Sequence, residues 1–256
     1  MCDKLMKQYS VIIAGCCRDV QNYIAKNLEI MDAIGSQFLK YQVVIYENDS
    51  KDATRYLLTQ NKKDHYDYIF EDNVNIKSRT ERIAHCRNKI LEHIRNNYDS
   101  YDYFLLLDLD DVLASGKLID TIKYCFLYKP EEWDGMFANC SNKYYDIYAL
   151  RKNGYLTSCC WNNANQLKAL GIDHMTAYKE CVDKYIINYP QDGKLMKVTS
   201  AFGGAGLYKL KSINKTIYNG FEEKHLDHMI CEHVPFNTEL CSKGCKLYIN
   251  PKMLIM

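Results

Sequence analysis

The stretch FLLLDLDDV, residues 104–112, has the residue types best suited to chemistry, because an apolar strand-like run ends there in acidic residues. Residues two apart on a strand project to the same side, so the carboxylates of Asp108 and Asp110 converge at a separation of roughly 6 to 7 Å. Mg²⁺ and Mn²⁺ prefer carboxylate oxygens as ligands and often keep positions free for substrate phosphates. The spacing therefore predicts a divalent-cation site that also holds a diphosphate.

An alternative interpretation of this stretch is a solvated strand end that leads into a helix beginning in SGKLIDTIKY. An isolated pair of aspartates favours that alternative. The cation site gains support only if the rest of the chain supplies a frame that binds nucleotides.

Strand-like and helix-like segments alternate through the first half of the chain. YSVIIAGCCR at 9–18 is a short apolar run, and Asp19 is the expected N-cap of a helix that ends at Gly35. This alternation predicts an α/β fold with a mixed, mainly parallel central sheet flanked by helices. The strands are expected at 9–18, 42–50, 67–73 and 101–111, and the helices at 20–35, 51–60 and 79–97.

Polar residues gather where each expected strand ends. Ligands of parallel sheets bind outside the carboxyl ends of the strands, so these side chains are expected to share one crevice. They are Arg18 and Asp19, then Glu47, Asn48 and Asp49, then Glu71 and Asp72, and then Asp108, Asp110 and Asp111.

The pattern is looser after residue 130. WDGMFANC, YYDIYALR, VTSAFGGAGLYKL and KLYINPKML are typical of strands, and one helix is expected near 163–184. No linker or repeat divides the chain, so a single domain over 1–256 is expected. We expect a nucleotide-binding half at 1–125 and an acceptor and donor-sugar half at 126–256.

The helical segment RTERIAHCRNKILEHI presents Arg79 and Arg87 on one side of the helix. Both arginines are predicted to contact a phosphate, and Asn88 follows directly. The alternative is a surface helix with local ion pairs, which we favour for Arg82. Arg87 fits that alternative poorly, because it interrupts the apolar face.

Two loops in the second half contain residues suited to binding. SAFGGAGLYKL places Gly203 and Gly204 between apolar segments, where a sugar or phosphate can approach the backbone, unless the segment is only a turn. CEHVPFN sets Glu232 beside His233, a pair that can supply a base or a metal ligand. A loop histidine is more often structural.

Charge and composition exclude several classes of function. The chain has 33 Lys and Arg against 32 Asp and Glu, so its overall charge favours neither nucleic acid nor an anionic membrane as a partner. No run approaches about 18 to 20 apolar residues and no signal-peptide core is present, so a cytoplasmic protein without a membrane span is expected, unless an anchor precedes this sequence. The 12 cysteines do not follow a secreted pattern and are expected to be reduced thiols.

Strand-end acids, a central Asp-x-Asp, a Gly-rich turn and a later Glu-His loop, in this order, resemble the GT-A class of glycosyltransferases. Within that class the chain is similar to the fungal capsular α-1,3-mannosyltransferase family, through RTERIAHCRNKIL, YDIYALRKNG, VTSAFGGAGLYKL and CEHVPFNTELCSKGCKLYINPKML. These blocks span about residues 75–256, and the N-terminal third matches only the general class pattern. That family tends to carry an Asn-Asp-Val type sequence where this chain has Asp108-Leu109-Asp110-Asp111-Val112. The metal-binding pair is therefore Asp108 with Asp110, or it includes Asp111.

The resemblance implies a metal-dependent enzyme that moves a hexose, mannose or glucose, from a UDP- or GDP-sugar to a hydroxyl of a glycan or glycoconjugate. It implies Mn²⁺ or Mg²⁺ held by Asp108, Asp110 and His233, with Asp110 essential for catalysis. Glu232 is the base if the reaction inverts the anomeric centre, whereas a retaining reaction needs no base from the protein. The other implied contacts are Arg18, Arg79, Arg87, Asn88 and Asp108 with the diphosphate, Glu47 or Asp49 with the nucleoside, and Asp146, Arg151, Gly203 and Gly204 with the sugar or acceptor.

Two other functions are compatible with the same features. A sugar nucleotidyltransferase shares the fold, but it usually has a Gly-rich basic loop after the first strand, where this chain offers only Gly15 and Arg18. A non-catalytic sugar-binding module would use the acids to hold Ca²⁺.

Overall fold

The central sheet is built from short apolar segments and is covered on both faces. The computed structural model describes residues 5–213, 215–222 and 225–256. Its strands are β1 Ser10–Cys17, β2 Lys40–Asn48, β3 Tyr66–Glu71, β4 Tyr103–Leu107, β5 Gly135–Asn139, β6 Lys143–Tyr144, β7 Ile187–Asn188, β8 Met196–Val198, β9 Ala205–Lys209, β10 Phe221–Glu222, β11 His225–Met229 and β12 Leu247–Leu254. Its helices are α1 Ile24–Gly35, α2 Thr54–Gln60, α3 Arg79–Asn97, α4 Lys117–Thr121, α5 Cys160–Ala169, α6 His174–Cys181, α7 Leu210–Ile213 and α8 His233–Ser242.

The main sheet has the strand order β3-β2-β1-β4-β9-β5-β12-β8. β1 pairs in parallel with β2 and β4, β2 with β3, and β5 with β12. β9 is antiparallel to β4 and β5, and β8 is antiparallel to β12. Six strands therefore run one way and two the other, which confirms the predicted mixed, mainly parallel sheet with flanking helices.

The strand order reverses at β1. The chain passes from β1 to β2 and β3 on one side, and then returns to place β4 on the other side. Connections that diverge at such a reversal leave a crevice at the carboxyl ends of the strands. β1 ends at Cys17 and β4 at Leu107, so the crevice lies beside Arg18 and Asp108.

Alternating side chains of β1 enter two different cores. Ile12 and Ala14 pack with Ile90 of α3, whereas Val11 and Ile13 belong to the core that contains α1. Burial on both faces explains why the strands are nearly continuous apolar runs. Because the strand residues themselves are buried, a ligand can contact only the polar residues that follow the end of such a strand.

Helix α3 brings a charged residue into the interior. Ser78 is its N-cap and accepts a hydrogen bond from the amide of Glu81 at 3.4 Å. Arg87, Ile90 and Ile94 are buried and recur at spacings of three and four, so they share the face that packs against the sheet. Packing of the helix thus carries the Arg87 guanidinium inside.

Three predictions of local structure are corrected. α1 begins at Ile24 rather than directly after Asp19, because Asp19 has a left-handed φ of 53° and its carboxylate accepts from the amide of Lys51. The single helix expected near 163–184 is two helices, α5 and α6, separated by a turn at Gly171. YYDIYALR is mostly loop, because its polar residues turn the chain after β6.

The cysteines in the described ranges are free thiols. Among the described helices, none is long and apolar enough to cross a membrane.

Candidate active site

A cavity of about 370 Å³ opens at the reversal of strand order, beside the carboxyl ends of β1 and β4. Its volume is within the range of small-molecule sites in proteins. Its walls come from these strand ends, from α3 and from the segments 145–148 and 231–233. The charged residues that line it are Arg18, Arg79, Arg82, Arg87, Asp108, Asp110, Asp146 and Glu232.

Arg87 is the centre of a buried charged network. Its Nη2 donates to Asp108 Oδ1 at 3.2 Å, and its Nη1 donates to Glu232 Oε1 and lies against His233 Nε2. Burial alone would lower the pKa of Arg87, but the charge of Glu232, followed by those of Cys16 and Asp108, raises it above its usual value. The guanidinium is therefore a fixed cation. We call Arg87, Asp108, Glu232 and His233 the switch-point cluster.

Asp108 is held at the floor of the cavity by the main chain. Its amide donates to the carbonyl of Gly204 at 2.9 Å, which continues the pairing of β4 with β9 beyond the end of β4. Burial raises the pKa of its carboxyl to about 8, with Asp110 and Asp146 adding to the effect and Arg87 opposing it. A carboxyl in these surroundings gains from a bound proton or a bound cation.

The turn at Gly203 and Gly204 requires glycine. Both residues have left-handed φ values, 67° and 85°, and a Cβ on Gly204 would lie 2.6 Å from Val112 Cγ1. The amide of Gly203 donates to Asp146 Oδ2 at 2.9 Å, and burial raises the pKa of that carboxyl. The turn thus positions Asp108 and Asp146 through its backbone. Direct contact of these glycines with a sugar stays a prediction, because neither glycine lines the cavity.

His233 is not available as a metal ligand in this arrangement. Its ring stacks on Phe202 with centroids 3.9 Å apart, and burial, together with Arg87, holds its pKa well below the usual value. Arginine can only donate, so the Nε2 of the neutral ring accepts from Arg87. Residues 5–213, 215–222 and 225–256 contain no group of three His, Cys, Asp or Glu side chains placed to share a metal ion. The metal set of Asp108, Asp110 and His233 stays a prediction, and in this arrangement the His233 ring is bonded to Arg87.

Asp108 and Asp110 remain a chemically suitable pair for Mg²⁺ or Mn²⁺. Both line the cavity and Asp111 does not, which favours the register of Asp108 with Asp110. An ion of this kind is commonly held by one or two carboxylates and completes its shell with water and substrate phosphates. The paired carboxyls of Asp108 and Asp110 at this edge of the cavity have the donor chemistry that such an ion requires.

Two residues predicted to contact the nucleoside are bonded to their own neighbourhood at the end of β2. Glu47 is fully buried, forms an ion pair with Arg55 and accepts from the amide of Ser50 at 2.8 Å. Asp49 accepts from the amide of Asn73 at 2.7 Å, and hydrogen bonds, first of all from the Asn48 side chain, lower its pKa. Neither side chain lines the cavity.

Asn88 and Arg151 also make bonds that hold the fold together. Asn88 exchanges two hydrogen bonds with the backbone of Tyr218, at 2.9 and 2.7 Å. Arg151 is buried and donates to the carbonyls of Tyr148 and Leu150 at 3.1 and 2.7 Å. Neither lines the cavity, whereas the predicted residues Arg18, Arg79, Arg87 and Asp146 do.

Sequence reasoning missed several residues that line the cavity. The sequence pattern favours a surface position for Arg82, yet Arg82 lines the cavity and donates to the carbonyl of Ile76 at 2.9 Å. Its spacing of three from Arg79 on the same helix was a usable signal. Phe202, whose ring lies 5.0 Å from the Arg87 guanidinium, and Tyr145 had no signal, because only the folded chain brings them there.

Comparison with known proteins identifies the fold. No protein-family model matches the chain, and no curated protein matches it. The fold is similar to that of the mannosyltransferase PcManGT from Pyrobaculum calidifontis, solved with GDP-Man and Mn²⁺ (TM-score 0.51, 11% identity, 95% of this chain and 55% of that chain). It is equally similar to S. aureus TarS 1-349 solved with UDP-GlcNAc (TM-score 0.51, 10% identity, 94% of this chain and 55% of that chain).

These two solved structures assign the chain the GT-A fold of glycosyltransferases. The chain spans little more than half the length of either structure. At such low sequence identity the similarity concerns the fold alone, and the activity has to be argued from the cavity.

Proposed function

We propose that the chain is a glycosyltransferase that moves a hexose from a UDP- or GDP-linked sugar to a hydroxyl of a glycan or glycoconjugate. The observation that carries the proposal is the convergence of a fixed guanidinium with two strand-end aspartates in one cavity at the reversal of strand order. The fold is that of structures solved with GDP-Man and Mn²⁺ and with UDP-GlcNAc, which supports a nucleotide-sugar donor.

The proposed donor site is the basic side of the cavity. Cleavage of the bond between a sugar and a diphosphate places negative charge on the leaving diphosphate, and preorganised cations stabilise that charge. Arg87 is fixed beside Asp108, and Arg18, Arg79 and Arg82 line the same cavity. Asp108 and Asp110 are the residues that would hold Mn²⁺ or Mg²⁺, which when bound supplies further positive charge at the diphosphate.

The proposed acceptor site is at Asp146. Its two carboxylate oxygens accept from the backbone amides of Ala149 and Gly203, at 3.3 and 2.9 Å, so it is positioned without a cationic partner among the described residues. Glu232 is instead bound to Arg87. In an inverting reaction we therefore assign the proton of the acceptor hydroxyl to Asp146, and to Glu232 the orientation of the guanidinium. A retaining reaction needs no base from the protein.

Both halves of the chain contribute to this proposed site. Residues 1–125 supply the basic side and the two metal-binding aspartates, and residues 126–256 supply Asp146 and Glu232. We propose that the first half binds the nucleotide diphosphate and the second half binds the donor sugar and acceptor, within a single catalytic domain.

The test is incubation of the purified chain with a panel of UDP- and GDP-sugars and glycan acceptors, in Mn²⁺ and in EDTA, with products identified by mass. Donor cleavage is expected in Mn²⁺, and Asp110→Ala is expected to lower it by about 100-fold or more, as is common when one transition-state contact is lost. Asp111→Ala is the matched control, because Asp111 does not line the cavity.

Each other outcome has a distinct meaning. Full turnover in EDTA would contradict the metal role. Exchange of pyrophosphate into the nucleotide sugar would instead identify a nucleotidyltransferase. Glycan binding that requires Ca²⁺, with no turnover of any donor, would identify a sugar-binding module.

A further inference from the structure

Helix α3 presents arginines to the cavity at two depths. Arg79, Arg82 and Arg87 all line it. The helix lies between β3 and β4, two strands that run the same way, so it begins at the carboxyl edge of the sheet and runs away from that edge. Arg79 and Arg82 therefore lie at the mouth of the cavity and Arg87 lies deeper. Their burial follows this order, because Arg79 is exposed, Arg82 is half-buried and Arg87 is buried.

Arg79 and Arg82, which we call the mouth pair, keep most of their donors free. A guanidinium has five N–H donors. In the described part of the chain the Arg82 side chain donates only to the carbonyl of Ile76, at 2.9 Å, and the Arg79 side chain makes no hydrogen bond or ion pair. Arg18 also lines the cavity, but it pairs with Asp19 at 3.5 Å. The mouth pair thus has donors and positive charge available to a ligand.

Acids of the cavity are held together at its floor, away from the mouth pair. Asp108 donates its amide to the carbonyl of Gly204, and Asp146 accepts from the amide of Gly203, so adjacent residues of one turn position both carboxyls. Arg87 donates to Asp108 at 3.2 Å. The floor therefore has its own cation, whereas the mouth pair has no acidic partner among the described residues.

The length of α3 separates the mouth pair from the proposed site of the donor diphosphate. An α-helix rises by 1.5 Å per residue, so the backbones of Arg82 and Arg79 lie about 7.5 and 12 Å from that of Arg87 along the axis. In the proposed reaction the diphosphate lies at the floor, beside Arg87 and Asp108. The mouth pair is therefore placed to bind a second anionic group rather than the diphosphate itself.

We propose that the mouth pair binds an anionic group of the acceptor, a phosphate monoester or a carboxylate, while the acceptor hydroxyl lies at Asp146. The fork of a guanidinium matches both anions through two parallel hydrogen bonds. On the basic side of the cavity, Arg87 then serves the diphosphate and the mouth pair serves the acceptor. This inference rests on the proposed function, because it takes the floor as the donor site. It narrows the acceptor to a glycan or glycoconjugate that carries a negative charge near the reacting hydroxyl.

The binding experiment uses inorganic phosphate as its probe. Phosphate is titrated into the purified chain in saturating UDP or GDP with Mn²⁺, and its affinity is read from the rise in unfolding temperature. Phosphate is expected to bind beside the nucleotide. Arg79→Gln and Arg82→Gln should each weaken phosphate binding about 10-fold or more, because each removes a charge-assisted hydrogen bond. Lys77→Gln is the matched control, since Lys77 is an exposed cation that does not line the cavity.

Turnover distinguishes an anionic acceptor from an anionic donor sugar. Acceptor sugars are supplied in matched pairs, neutral and with a 6-phosphate or a uronic acid, and donors carry either a neutral hexose or a hexuronic acid. With neutral donors, kcat/KM is expected to be about 10-fold or more higher for the anionic acceptor of each pair. The double variant Arg79→Gln/Arg82→Gln is expected to abolish this preference.

The proposal is overturned if UDP or GDP excludes phosphate, because the mouth pair then binds the donor diphosphate. It is equally overturned if the preference follows an acidic donor sugar, or if neutral and anionic acceptors react alike. Phosphate binding is read without any turnover. A chain that binds phosphate through the mouth pair but transfers no sugar to any acceptor therefore contradicts the proposed function and leaves the anion site established.

Discussion

Two groups of charged side chains lie at the carboxyl ends of the parallel strands, and they find their partners in different ways. In the first, which we call the outer cluster, the contacts join residues 8, 17 and 14 positions apart. In the switch-point cluster Arg87 reaches Glu232, 145 positions away, and His233, 146 positions away. The outer cluster consists of Glu47, Arg55, Glu71, Asp72 and His85.

The difference shows why polar strand ends alone do not make a site. In the outer cluster each charged side chain is paired with another member of the cluster, and most of these side chains are partly exposed to solvent. Ion pairs of this kind contribute about 0 to 1 kcal/mol each to stability. The switch-point cluster forms only when the whole sheet is assembled. There Arg87 and Glu232 are buried, Asp108 is partly exposed to the cavity, and Asp110 and Asp146 line the same cavity, so the acids exceed what Arg87 alone can neutralise.

Loss of one partner in each cluster should give the largest contrast. Arg87→Met leaves Asp108 and Glu232 without their buried cation, so a loss of about 3 to 5 kcal/mol in unfolding free energy is expected. His85→Gln removes a half-exposed partner of Glu71 and should cost about 1 kcal/mol or less. Urea unfolding of the two variants measures both values. Equal losses would mean that the clusters do not differ in burial.

The glycine turn allows a sharper test of how tightly the switch-point region is packed. Gly204→Ala and Gly154→Ala both place alanine at a left-handed φ, which costs about 1 kcal/mol. At Gly204 the new Cβ also meets Val112, for an additional cost of about 1 to 3 kcal/mol, whereas nothing lies within 4 Å of it at Gly154. Chemical unfolding of the pair measures the difference. Identical losses would contradict close packing around the carbonyl that holds Asp108.

The buried side chain of His233 should make the unfolding free energy depend on pH below about pH 6.5. The pKa of His233 is lowered in the folded chain and is about 6.5 when unfolded, and its charged neighbours are Arg87 and Glu232. The stability that the neutral His233 ring contributes is therefore fully present above about pH 6.5. As the pH falls below this value, the unfolding free energy decreases by up to about 1.4 kcal/mol per pH unit. His233→Gln keeps an acceptor for Arg87 but does not titrate.

Unfolding free energies of both proteins at a series of pH values test this expectation. The unaltered chain should lose stability more steeply than His233→Gln below about pH 6.5, and the two curves should run parallel above it. Parallel curves throughout would show that the ring is protonated as readily in the folded chain as in the unfolded one.

The smallest effect is expected at the exposed end of the outer cluster. Asp72 is 65% exposed and pairs with Arg55 at 2.7 Å, so Asp72→Asn should change the unfolding free energy by less than about 1 kcal/mol. Salt at about 1 M should reduce even this difference, because the Debye length then falls to about 3 Å, close to the separation of the pair. Thermal unfolding at low and high salt tests it, and a large loss that salt does not affect would place this pair with the buried ones.

Helix α3 shows how far the sequence alone can predict this molecule. Its bounds match the predicted 79–97, because apolar periodicity is a local signal. The bonding partners of its charged residue Arg87 were only partly predictable. The sequence predicts that Arg87 contacts a phosphate, but the buried bonds of Arg87 to Glu232 and His233 depend on a segment far along the chain.

The aspartates that follow β4 show the same division. By itself the sequence determined the fold class and the presence of acids at strand ends, because alternation of apolar and polar residues is a property of neighbours along the chain. Only the tertiary structure decided that Asp108 and Asp110 line the cavity while Asp111 does not, and that Glu47 forms an ion pair with Arg55. These choices follow from how the sheet packs, since burial and long-range pairing determine which charges are neutralised and which remain open to a ligand.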